Sequence, residues 1–337
     1  MRLADFDYEL PDDRIAQSPI EPRDGARLLV DRGSTTPDHR HVHDLPDILR
    51  RGDLLVVNET KVIPARLALR RATGGAAEVL LLEPIDGTRT VWEALIRPAR
   101  RLRAGETLHA PAGEAVVEIG ERTEAGDTFT VRLLGSVDSL ELLAEHGEMP
   151  LPPYITERLA DPDRYQTVYA REPGSAAAPT AGLHFTPELL AALEDRDIAV
   201  AKVDLVVGLD TFRPIVEDDP LEHRMHTERY RVPEATMERC RTAERVVAVG
   251  TTSVRALESA AATGELDGRT DIFIHRGFDW QVVDLMMTNF HLPKTTLLMM
   301  IDAFVGDRWR TLYEQALRED YRFLSFGDAM LLDRRAR

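Results

Sequence analysis

The chain has 337 residues, 43% of them hydrophobic and 30% charged, with a formal net charge of −16 and one cysteine. That length suits two cores, or one large domain carrying an insertion, and the composition is globular, without a disordered tract or a run of about 18 apolar residues to span a bilayer. A lone Cys240 excludes an intrachain disulfide and a Cys-rich zinc site, and the acidic balance excludes a general nucleic-acid coat protein.

The opening MRLADFDYELPDD is acidic and lacks the apolar centre of a signal peptide, which predicts a soluble, cytoplasmic protein. Residues 27–31 read as a strand, a short helix follows Asp44, and residues 53–57 read as a second strand. It ends in the polar turn NETKVIPAR, which offers Asn58, Thr60, Lys61 and Arg66. From Leu67 to Leu134 the pattern changes to short alternating runs (EVLLLEP, TVWEALIRP, EAVVEIG, TFTVRLLG) parted by Gly-rich or Asp-Gly turns, the grammar of a small β-barrel or sandwich. Within it IRPARRLR carries Arg97, Arg100, Arg101 and Arg103. Lysine is confined to Lys61, Lys202 and Lys294, so cationic contacts fall to arginine, which clamps carboxylate and phosphate at two points. The cluster fits a solvated strand edge and a nucleic-acid contact equally well.

VDSLELLAEHG then shows helical periodicity, broken by MPLPPYI, and YQTVYA supplies Tyr165, Gln166 and Tyr169. After Thr186 helices and strands alternate: PELLAALEDR, IAVAKVDLVV, PEATMERCRTAE, RVVAVG and a helix over 253–262. A strand at DIFIH and helices at TLLMMIDAFVG and DRWRTLYEQALRE follow. The expected architecture is α/β (α+β): a discontinuous mixed-sheet main domain from residues 1–66 and 150–337, with residues 67–149 inserted as a small β-barrel.

Two compact polar motifs stand out. PTAGLHFT gathers Thr180, Gly182, His184 and Phe185 where neither helix nor strand patterning needs them, and His184 can exchange a proton near neutral pH. In TNFHLPK, an extended backbone puts Asn289 and His291 on one side. VVAVGTTSVRALES reads as a strand, a turn holding Thr251, Thr252 and Ser253, and a helix whose first amides suit a carboxylate or phosphate. Ordinary N-capping explains the same residues. HRMHTERY adds His223, His226 and Glu228, but without the glutamate spacing or third ligand of a zinc site, so no metal is expected. There is no Walker A sequence, no GxGxxG after a strand and no GxSxG elbow. Cys240 packs in a helix between Arg239 and Arg241.

Taken together and in order, NETKVIPARL, LPPYI, YQTVYA, APTAGLHFT, GLDTFRPI, MHTE, VGTTSVRALES, VVDLMMTNFHLPKTTLLM and YRFLSFGDAM resemble the S-adenosylmethionine:tRNA ribosyltransferase-isomerase family of queuosine biosynthesis. The resemblance spans nearly the whole chain. It implies transfer and isomerisation of the ribosyl part of S-adenosylmethionine onto 7-aminomethyl-7-deazaguanine in the tRNA anticodon, giving epoxyqueuosine with loss of adenine and methionine. It also implies S-adenosylmethionine as co-substrate without a prosthetic group and the tRNA anticodon stem-loop as partner; apart from the resemblance, a monomer with no membrane association is expected. Such chemistry needs a base, an acid for departing adenine and an oriented amine. His184, His226 and His291 are the proton-transfer candidates, with His184 as base, Asn289 and His291 holding ligand, and Thr251 to Ser253 holding a carboxylate or phosphate. Three departures from the family pattern are Val206 at a histidine position, Asp210 at a glycine and Arg276 before Gly277; Glu59 also replaces the more typical Asp or Asn. They raise two alternatives, a ribosyl transferase with another acceptor and a silent RNA-binding relative.

Overall fold

A computed structural model describes residues 1–33, 36–123, 126–135, 138–208, 215, 217–223, 225 and 227–336. The chain forms two compact units, one of Met1–Thr60, Pro153–Glu172 and Ala178–Arg337, the other of Lys61–Pro152 and Pro173–Ala177.

In chain order the first unit starts with β1 (Arg27–Val30), β2 (Asp38–His41), α1 (Leu45–Ile48) and β3 (Asp53–Asn58). After β4 (Thr60–Val62) the second unit holds β5 (Arg66–Arg71), β6 (Ala76–Pro84), β7 (Val91–Arg97), β8 (Thr107–His109), β9 (Ala115–Arg122), β10 (Phe129–Leu133), α2 (Ser139–His146) and β11 (Gly147–Glu148). Past β12 (Glu172–Ser175) come α3 (Pro187–Glu194), β13 (Ala199–Leu205), β14 (Glu228–Arg231), α4 (Glu234–Thr242), β15 (Arg245–Val249) and α5 (Gly250–Thr263). The first unit ends with β16 (Asp267–Thr270), β17 (Leu285–Asn289), α6 (Thr296–Val305), α7 (Arg308–Arg318) and β18 (Ala329–Asp333).

The second unit is a closed barrel, as its alternating runs predict. The order is β5-β6-β7-β10-β9-β8, and β8 returns to β5 through Arg70 opposite His109 and Arg71 opposite Leu108. Every second residue faces inward: Trp92, Ala94 and Ile96 of β7 are buried, as are Val117 and Ile119 of β9 and Val131 of β10. Closure pairs the strand edges that an open sheet would expose.

Among the described residues the first unit forms a nine-stranded mixed sheet, β16-β14-β13-β3-β15-β17-β18-β1-β2. Its centre is parallel: β3 runs with β13 on one side and β15 on the other, and β15 runs with β17. Leu55 and Val57 join Val247, Val249, Leu285 and Met287 in one cluster with Leu189 and Leu193 of α3. α5 packs across β13, β3, β15 and β17. The carboxyl ends of these parallel strands, Asn58, Leu205, Val249 and Asn289, therefore lie along one edge of the sheet, where open α/β sheets bind ligands.

Two expectations need correcting. DIFIH is not a strand: β16 stops at Thr270, whose hydroxyl accepts the Ile272 amide at 3.1 Å and turns the chain, while Ile274 is buried from an irregular segment. The helix expected over 253–262 begins earlier, at Gly250, because the residue at the strand–helix junction adopts φ +83°, which glycine tolerates. α4 does bury Cys240, and burial pushes its thiol up to about 11, which removes it as a nucleophile.

Candidate active site

Three segments meet at the carboxyl edge of the parallel strands. β17 delivers Thr288 and Asn289, after which the buried Phe290 anchors the turn that presents His291. β15 passes directly into α5, so Gly250, Thr251 and Thr252 form a helix start whose N-cap residue, Val249, supplies no side-chain cap. The PTAGLHFT motif forms a single 3-10 turn over Thr180–His184. Thr180 and Ala181 of that turn, Gly250 to Thr252 and Thr288 to His291, together with Tyr154, Val207 and Ser325, line a cleft of about 580 Å³, counting space open to solvent.

The polar groups in this cleft are linked. The Thr180 hydroxyl donates to Asn289 Oδ1 at 2.9 Å, and Asn289 Nδ2 lies 3.3 Å from His184 Nε2 and donates to the Asp328 carbonyl at 3.4 Å. Thr288 Oγ1 and His291 Nε2 share a hydrogen bond at 3.0 Å. The His291 backbone is fixed by two phenols: Tyr8 donates to its carbonyl, and its amide donates to Tyr313 at 3.0 Å. The Tyr154 and Ser325 hydroxyls are 2.7 Å apart. Burial lowers the His291 pKa to about 3. For His184, burial reinforced by the positive charges of Arg322, Arg164 and Arg23 lowers it to about 4. Both imidazoles are therefore neutral at pH 7.

Residues expected from the sequence are only partly brought together. His291, Asn289, Thr180, Thr251 and Thr252 line the cleft. His184 lies behind Asn289 and lines a separate recess with Arg23 and Arg164. Ser253 is buried, and its hydroxyl donates to the Val249 carbonyl at 2.7 Å. Gly182 is packed against Tyr169, whose ring meets Phe185 edge-on at 6.3 Å in the core, and Tyr165 is wholly buried against Phe326. Gln166 gives its carbonyl to Arg23 at 2.7 Å. Asn58 braces β3 to β13, donating to the Leu205 carbonyl at 2.9 Å and accepting its amide at 3.1 Å, and Thr60 is buried beside it. Glu228 is buried in an ion pair with Arg255.

Lys61, Arg66 and Arg97 belong to the second unit, where Lys61 and Arg97 are exposed and Arg66 is half-buried. His226 and Asp210 lie outside the described residues. His223 pairs with Glu217 at 3.1 Å. Of the departures, Val206 bonds the Arg229 carbonyl through its amide while its neighbour Val207 lines the cleft, and Arg276 pairs with Asp302 and Asp307. Thr288, Tyr154 and Ser325 were not singled out by sequence pattern, although each lies within a motif of the resemblance.

The comparisons with known proteins agree with this layout. The family model described as queuosine biosynthesis protein matches residues 3–332. An S-adenosylmethionine:tRNA ribosyltransferase-isomerase from Moorella thermoacetica is 51% identical, covering 98% of this chain and 100% of the relative. A protein of the same name from Synechococcus elongatus is 50% identical, covering 97% of this chain and 94% of the relative. The crystal structure of an S-adenosylmethionine tRNA ribosyltransferase from Thermotoga maritima is similar with a TM-score of 0.54 and 36% identity, covering 97% of this chain and 99% of that one. A match of this extent, running through both units and every segment of the cleft, shows that the chain belongs to the queuosine biosynthesis protein family.

Proposed function

We infer that the protein is an S-adenosylmethionine:tRNA ribosyltransferase-isomerase, moving the ribosyl group of S-adenosylmethionine onto 7-aminomethyl-7-deazaguanine in the anticodon of tRNA. The reading is carried by one observation: a cleft at the carboxyl edge of the parallel strands is lined by the start of α5 and by the neutral, buried His291, with the neutral, buried His184 behind Asn289. Relatives about half identical over nearly the whole chain bear that enzyme name.

His291 is the proposed proton acceptor, because it lines the cleft and its tautomer is tied to Thr288. Asn289, held between Thr180 and His184, is the proposed ligand-orienting amide. His184 acts through Asn289 as a positioning residue. The uncapped start of α5 suits a ligand carboxylate. Lys61, Arg66 and Arg97 are proposed contacts for tRNA phosphates, each of which adds to the salt dependence of binding. An altered acceptor is less well supported, since Val206 and Arg276 are not among the residues lining the cleft.

The test is incubation with S-adenosylmethionine and tRNA carrying the aminomethyl-deazaguanine, followed by mass spectrometry of the nucleosides and assay of free adenine. Epoxyqueuosine together with adenine is the expected result. Adenine without modified tRNA would transfer the reading to another acceptor, and absence of both would overturn it.

A further inference from the structure

Arg255 carries a two-point donor edge that the described protein groups do not use. It sits on α5, is only 4% exposed, and pairs through Nη1 with Glu228, itself 5% exposed. Glu228 is held in turn by the Gly208 amide at 3.2 Å. Arg255 Nε and Nη2 have no hydrogen-bond partner among the described residues. Those are the two nitrogens with which Arg245 grips Asp53, at 2.7 and 2.5 Å, and Arg276 grips Asp302, at 2.9 and 2.5 Å. A buried guanidinium edge with no acceptor is costly, and the group that best satisfies it is a planar carboxylate or a phosphate.

The position of Arg255 connects it to the cleft. Thr251 and Thr252 precede it by four and three residues on the same helix, so the three side chains share a face. Both threonines line the cleft, and the Thr252 hydroxyl is buried with no partner among the described residues. Val207 also lines the cleft, and its neighbour Gly208 holds Glu228. Glu228 thus fixes Nη1 and leaves the Nε/Nη2 edge without an acceptor among the described residues, one helical turn along α5 from the cleft-lining Thr251 and Thr252.

We propose that Arg255 binds the amino-acid carboxylate of S-adenosylmethionine through Nε and Nη2, with Thr252 and the first amides of α5 as further donors. The proposal rests on the reading of S-adenosylmethionine as substrate. A small-molecule carboxylate fits better than an RNA phosphate, because a phosphate brings its flanking nucleotides and needs donors at the surface, whereas this guanidinium is buried.

Calorimetric titration of the full-length protein with S-adenosylmethionine and with its decarboxylated analogue tests it without any substitution. Wild type should bind the carboxylated form roughly 10- to 100-fold more tightly, the span expected for a charged two-point hydrogen bond. Arg255→Lys keeps a charge opposite Glu228 but lacks the Nε/Nη2 edge; it should lose most of that discrimination and bind the analogue as wild type does. Equal wild-type affinity for the two ligands, or full discrimination in Arg255→Lys, would overturn the assignment while leaving the S-adenosylmethionine reading intact. Unchanged discrimination with weakened tRNA binding would overturn it in favour of a phosphate contact. Failure of wild type to bind either ligand would overturn both readings.

Discussion

His184 Nε2 lies 3.3 Å from Asn289 Nδ2, and of the two only Asn289 lines the cleft. The imidazole acceptor is already engaged by the amide, which fits the proposed role of His184 in positioning Asn289, while His291 lines the cleft itself. His291→Asn is expected to lower the rate of adenine release by roughly 10²- to 10⁴-fold, the usual worth of a proton-transfer group. His184→Gln should lower kcat about tenfold with little change in KM for S-adenosylmethionine, as for an interaction felt mainly in the transition state. Steady-state adenine release measures both. A larger loss in the His184 variant would return the base to that residue, and full activity in His184→Ala would remove it from the site.

The same two histidines set an acid limit on stability. Their folded pKa values, about 4 for His184 and about 3 for His291, lie below the ordinary value of 6.5. Between those limits the unfolded chain binds protons that the folded chain refuses, so the stability they contribute is complete above 6.5 and is lost as pH falls toward 4. Each should cost about 1.4 kcal/mol per pH unit inside its window. The urea midpoint should therefore drop steeply between pH 6.5 and 4, and His184→Asn should flatten that slope. An equally steep slope in the variant would show that the imidazole is protonated in the folded state.

The barrel is legible in the sequence because each strand buries one face: VWEALIR of β7 alternates as the pleat demands. The sheet centre is harder to read. LMMTN of β17 and AMLLD of β18 are almost wholly buried, so they carry no period to set them apart from the apolar helices nearby. For the site, composition identifies the polar segments but not which side chains face ligand. His184 and Asn289 are 105 residues apart, and their order relative to the cleft is set by the 3-10 turn and the end of β17. Arg255 is hidden for a similar reason, since its significance depends on Glu228 leaving two of its nitrogens unused.

The 3-10 turn that carries Thr180 and His184 depends on a close approach at Gly182. A Cβ there would stand 2.1 Å from the Tyr169 hydroxyl oxygen and 2.9 Å from Thr167 Cγ2. Gly182→Ala should destabilise by about 1–3 kcal/mol, the usual cost of overpacking. The Tyr169 hydroxyl is buried with no partner among the described residues, so Tyr169→Phe alone should be close to neutral. The double variant should recover part of the loss, a positive coupling readable from urea titrations as a double-mutant cycle. Strict additivity would place the strain elsewhere.

Arg276 is the departure whose consequence is most directly testable. Its Nε and Nη2 grip the buried Asp302 at 2.9 and 2.5 Å, Nη2 also reaches Asp307 at 2.7 Å, and Trp309 Nε1 donates to Asp302 at 3.1 Å. The pairing raises the guanidinium pKa and ties the segment before Gly277 to α6 and the start of α7. With half of the arginine side chain exposed, solvent screens the pair, but removing it leaves a carboxylate that is 4% exposed with two hydrogen bonds fewer. Arg276→Ala should therefore lower stability by about 1–2 kcal/mol through Asp302. It should leave kcat/KM for the deazaguanine-bearing tRNA within about twofold, because Arg276 lies outside the cleft. Asp302→Asn should reproduce the stability loss. A change of acceptor preference in Arg276→Ala, measured by competition between modified and unmodified tRNA, would instead make this arginine a determinant of specificity.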